Sequence, residues 1–113
     1  MSKLVINGEE VEVIVFAADG TEDASTTLTH RELATAEAVD AALRANSEFK
    51  ASYPDARLTR IESMRGVDEH REGRYYFRYR HASGVAEFWG HLAHEPKFDF
   101  KKGIVGVTLP NRR

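Results

Sequence analysis

The chain contains no cysteine, which excludes disulfides, thiol nucleophiles and thiolate-held zinc or iron–sulfur clusters together. A reducing, cytoplasmic setting is the expectation that follows. Proline is scarce, at 3 of 113 residues, and no proline- or glycine-rich stretch is long enough to act as a linker. Long apolar runs are missing too. The longest, residues 13–18 and 104–109, fall far short of the roughly 20 residues that a membrane-spanning helix needs. The opening Met-Ser-Lys-Leu-Val-Ile passes straight into strand-like alternation, without the apolar region and cleavage site of a secretory signal, so neither export nor a membrane partner is expected. Net charge is also small, at −2.

What is there suits one modest core: 113 residues, 42% hydrophobic and 30% charged, read as a single domain over residues 1–113. The charge is unevenly placed. Residues 1–56 carry 4 basic and 11 acidic side chains, whereas residues 57–113 carry 12 and 7. The second half is therefore able to present a basic surface, unless folding interleaves the halves.

Residues 3–16 read as a hairpin turned at Asn7-Gly8, with Val11, Val13 and Val15 on one face and Glu10, Glu12, Ile14 and Phe16 on the other. Residues 17–27 are rich in Asp, Ser, Thr and Gly and read as a surface loop. Thr29 and Glu32 then form a capping box, stapled by Leu28 and Leu33. Beyond it Ala36, Val39, Ala42, Leu43 and Phe49 share one side of a helix, while Glu37, Asp40, Arg44, Ser47 and Glu48 face water. That helix ends at Tyr53-Pro54, since a residue before proline is pushed out of the helical region. Leu58, Ile61 and Met64 fit a second helix capped by Gly66 or a strand, and the strand is preferred.

A turn at Ser83-Gly84 sets Arg80 against Glu87, Tyr79 against Phe88, Arg78 against Trp89 and Tyr76 against His91. Tyr75, Phe77, Tyr79, Phe88 and Leu92 form the core face of this hairpin. The opposite face carries Arg74, Tyr76, Arg78, Arg80, Trp89 and His91, which are the candidate binding residues. After Pro96, residues 97–101 and 104–108 predict one more strand pair, and residues 111–113 a frayed tail. The fold class expected is α+β, with one amphipathic helix on an antiparallel sheet of about five strands in the order hairpin, helix, meander.

The stretch Leu-Val-Ile-Asn-Gly-Glu-Glu-Val-Glu-Val resembles the first hairpin of small ubiquitin-like sulfur carriers, and hairpin-then-helix order is similar to a β-grasp start. The resemblance covers about a tenth of the chain. Those carriers are modified at a terminal Gly-Gly, which Leu-Pro-Asn-Arg-Arg does not match, so their function is not carried over. A helix followed by an antiparallel meander is also similar to cystatin-like folds. Their members include inhibitors, binding modules and small enzymes with a pocket between helix and sheet, which selects no single function.

Aromatic rings beside arginines anchor protein interfaces, and also stack bases and grip phosphates. The leading expectation is a small non-enzymatic accessory or inhibitor-type protein that binds a macromolecular partner through this basic, aromatic face. Nucleic-acid binding through the same face is the first alternative, although no recognition-helix, zinc-finger or RNA-recognition signature occurs. A small-ligand or enzymatic pocket is the second. Its sole acid–base cluster is His91 with Tyr76 and Glu87. His91 and His94 do not form His-Glu-x-x-His, and on a strand they point to opposite faces; only a helical turn there, completed by Glu95 with His81 or His70, gives a metal shell. No metal is read. No phosphate loop or dinucleotide motif occurs, so no cofactor is implied. Homodimerisation through the aromatic face stays open.

Overall fold

A computed structural model describes residues 2–65 and 74–109. The first alternating stretch forms β1 (Ser2–Ile6) and β2 (Glu9–Phe16). Between them Asn7 and Gly8 take φ of 48° and 89°, the left-handed values a two-residue hairpin turn requires.

Helix α1 (His30–Ala45) starts at the expected capping box: the Glu32 amide donates to the Thr29 hydroxyl at 3.1 Å, and the Thr29 amide to the Glu32 carboxylate at 2.8 Å. The single helix read from periodicity is in fact two. At Asn46 the backbone is extended, and a short α2 (Ser47–Ser52) follows. The Asn46 side chain accepts from the Phe49 amide at 3.0 Å, so it satisfies an orphan donor of α2 and makes the break inexpensive.

The rest of the chain supplies β3 (Arg57–Met64), β4 (Arg74–His81), β5 (Gly84–Leu92), β6 (Lys97–Asp99) and β7 (Ile104–Val107). The segment around Ile61 is thus a strand. The α+β class stands, but the sheet has seven strands in the order β1-β2-β3-β4-β5-β7-β6 and is mixed.

The sheet departs from an antiparallel meander at two places, and the first has a geometric cause. Strand β3 runs parallel to β2 because α1 lies between them in the chain. A helix of 16 residues spans about 24 Å, close to the ~26 Å of an eight-residue strand, so it returns the chain to the end where β2 began. At the far side β6 lies outermost and β7 inserts between it and β5, parallel to β5.

One sheet face is covered by the helices. Val11, Val13, Leu58, Ile61, Tyr75, Phe77, Tyr79, Phe88 and Val105 are buried there against Ala36, Val39, Leu43 and Phe49. Gly90 leaves room for α1: a Cβ on it would lie 2.7 Å from a Val39 methyl. Leu92, expected in the core, packs at its margin. No helix among the described residues is long and apolar enough to cross a membrane. Gly66, His70 and residues 111–113 lie outside the described residues.

Candidate functional site

The second face of the sheet has no described helix over it. All six candidate residues stand on it: Arg74, Tyr76, Arg78 and Arg80 alternate along β4, and Trp89 and His91 along β5. Their cross-strand partners differ from expectation. The turn is Ala82-Ser83, closed by His81 opposite Gly84, and the Ser83 amide donates to His81 Nδ1 at 3.2 Å. Moving a turn by one residue moves every partner by two, which preserves the faces and changes the pairs. Arg78 therefore faces Glu87, Tyr76 faces Trp89, and Arg80 faces Val85.

Carried across the other strands, this register lays the side chains in rows. The central row runs Ile14, Glu62, Tyr76, Trp89 and Ile104, aromatic and apolar except for Glu62. Tyr76 meets Trp89 edge to face, with ring centroids 5.4 Å apart. Both rings are half-buried, as are Ile104, Phe16 and Met64, while Ile14 is buried.

The adjoining row, Lys3, Glu12, Arg60, Arg78 and Glu87, is charged with mixed sign. Arg60 bridges Glu12 at 3.2 Å and Glu62 at 2.9 Å. Arg78 lies over the Tyr76 ring, donates to its hydroxyl at 3.3 Å and stands 3.6 Å from Glu87. The Tyr76 hydroxyl donates to Glu87. Burial, and then that bond to Glu87, push the Tyr76 hydroxyl above its ordinary pKa. The bond to Tyr76 chiefly raises Arg78.

The cluster suggested for acid–base chemistry does not assemble as read. Glu87 is engaged by Tyr76 and Arg78, and His91 is a buried side chain, its Nδ1 2.8 Å from the Leu92 carbonyl oxygen. Among the described residues no three His, Cys, Asp or Glu side chains are grouped to hold a metal. Sequence reasoning missed Lys3, Arg57, Arg60, Glu62 and Ile104 as members of this face. Their alternation placed them on one side of their own strands; Arg57, Arg60 and Glu62 join the face through the antiparallel pairing of β3 with β4, Lys3 through β2 and its parallel pairing with β3, and Ile104 through the parallel pairing of β7 with β5.

Two further features lie elsewhere. Asp40, expected to face water, is fully buried and accepts from Tyr79 at 2.5 Å, Asn7 at 2.9 Å and Arg44 at 3.0 and 3.1 Å. Arg44 also reaches Glu9, whose carboxylate accepts from the Leu58 amide at 3.0 Å. Burial, then the negative charge of Asp40, push the Tyr79 hydroxyl far up. This network ties the first hairpin, α1, β3 and β4 together, and its polar atoms are used up in doing so. Between α1 and the β6–β7 edge lies an open hollow of about 440 Å³ with apolar walls from Ala38, Ala42, Phe98, Val105 and Val107.

Comparison with protein-family models, with curated proteins and with solved structures finds no match.

Proposed function

We propose that the chain is a non-enzymatic accessory protein that docks a protein partner on the open sheet face, with Tyr76 and Trp89 as anchors and Arg74, Arg78, Arg80 and His91 around them. The observation that carries this reading is the half-buried aromatic strip bordered by a charged row on a face with no described helix over it. Such a strip has the composition of an interface centre, and the charged row beside it has that of a rim.

Nucleic acid is favoured less because Glu12, Glu62 and Glu87 stand among the arginines and answer them at 2.9 to 3.6 Å. Fixed carboxylates repel a phosphate backbone, and their pairing leaves fewer cations to release its counterions. A catalytic pocket is favoured less because the hollow beside α1 is walled by apolar side chains, without the converging polar groups that chemistry needs.

The test is capture of a partner from a lysate with nuclease present, its identification, and titration of the purified partner against wild type and Trp89→Ala. The expected result is nuclease-resistant binding that the variant loses by tenfold or more while its melting temperature changes little. Capture that disappears with nuclease, or a partner that binds Trp89→Ala as tightly as wild type, overturns the proposal.

A further inference from the structure

The register sets like charges directly opposite each other at two places on the open face, Arg60 against Arg78 and Arg57 against Arg80. Opposed like charges destabilise a sheet unless something answers them. The first pair is answered, Arg60 by Glu12 and Glu62, Arg78 by Glu87. The second is not: Arg57 and Arg80 are exposed, and neither has an ion-pair partner among the described residues.

Between the two pairs the ladder is irregular. A register shift between Leu58 and Arg60 leaves Thr59 as an extra residue, the arrangement of a bulge. Its short side chain, whose hydroxyl is turned to the Arg78 carbonyl oxygen at 3.2 Å, lines a hollow of about 370 Å³ on the open face. Lys3, Arg78 and Arg80 line the same hollow, and Lys3 too has no ion-pair partner among the described residues. Glu10 and Glu12 are its acidic members, Glu12 being held by Arg60.

We infer that this hollow receives a carboxylate side chain from an acidic segment of the protein partner, gripped by Arg80 and Lys3, with Arg57 opposite Arg80 in the register adding its charge. This rests on the open face being the docking surface. Guanidinium forks match carboxylate geometry, and an arriving carboxylate relieves the repulsion between Arg57 and Arg80. Glu10 and Glu12 disfavour a phosphate backbone, whose charges are fixed along the strand and must pass over them, more than a flexible acidic peptide that can place one carboxylate in the hollow and turn its others away.

The experiment is fluorescence polarisation of labelled hexaglutamate and hexaglutamine peptides with the full chain at low salt. Wild type is expected to bind hexaglutamate and not hexaglutamine, and Arg57→Gln with Arg80→Gln to weaken binding about tenfold or more. The double variant is expected to melt no lower than wild type, since both side chains are exposed and mutually repelled. Glu10→Gln is expected to tighten binding. Absence of hexaglutamate binding, equal binding of hexaglutamine, an unaffected arginine variant, or tighter binding of a single-stranded oligonucleotide of equal charge overturns the inference. If the purified partner depends on Trp89 but not on Arg57 and Arg80, this inference alone falls; if it depends on neither, the docking face falls with it.

Discussion

Asp40 has no exposed surface, yet its carboxylate is fully answered by the Tyr79 hydroxyl, the Asn7 amide and the Arg44 guanidinium. Removing one member of a buried charged network leaves the others desolvated and unpaired. Asp40→Ala is therefore expected to cost about 3–5 kcal/mol in urea unfolding. Tyr79→Phe, which removes one donor of several, is expected to cost about 1–2 kcal/mol. Equal costs for the two would contradict the central place given to Asp40. Glu32 is a second informative residue. Burial alone would raise its carboxyl, but hydrogen bonds from Arg65 and the Thr29 amide outweigh burial and hold it below its ordinary value of 4.5. A depressed folded-state value stabilises above the unfolded-state value and is lost as pH falls through the folded one. The stability gap between wild type and Glu32→Gln is thus expected to be constant above about pH 4.5 and to close below it, as thermal melts across that range would show.

At the scale of elements, α1 packs against β5 at Gly90 with no room for a side chain. A methyl there would stand 2.7 and 2.8 Å from the two Val39 methyls, so Gly90→Ala is expected to cost about 1–3 kcal/mol by forcing α1 off the sheet. Combining it with Val39→Ala is expected to cost less than the two singly, because the smaller side chain vacates the clash; simple additivity would contradict the contact. Local chemistry made several elements legible from sequence. Thr29 and Glu32 marked where α1 begins, Asn7-Gly8 the first turn, and alternation the core face of β4 and β5. What failed had no local signal strong enough to see. Asn46 interrupts a helical pattern whose apolar spacing runs on to Phe49, and Gly84 was read as a turn residue although it opens β5. Asp40 matched the polar face of α1, yet Tyr79, thirty-nine residues on, draws it inward.

At the scale of the whole molecule, pairing decides what the surface is. The six candidate residues were legible because β4 and β5 are neighbours in sequence, and an error of two positions in register leaves a face intact. The composition of the complete face was not legible, because Arg57, Arg60 and Glu62 join it only once the stretch after Pro54 is a strand paired with β4, Lys3 and Glu12 only through the parallel pairing of β2 with β3, and Ile104 only through insertion of β7 beside β5. Those additions turn a basic strip into a mixed-charge face with an aromatic centre. Trp89 is the only tryptophan in the chain and lies at that centre, so it reports on the face alone. The most direct test is the ¹⁹F resonance of chain labelled with 5-fluorotryptophan, followed as the purified, unlabelled partner is added. A resonance that shifts and saturates with partner, and holds when nuclease is added, is the expected result. A partner that binds while the Trp89 resonance stays in place would contradict docking on this face.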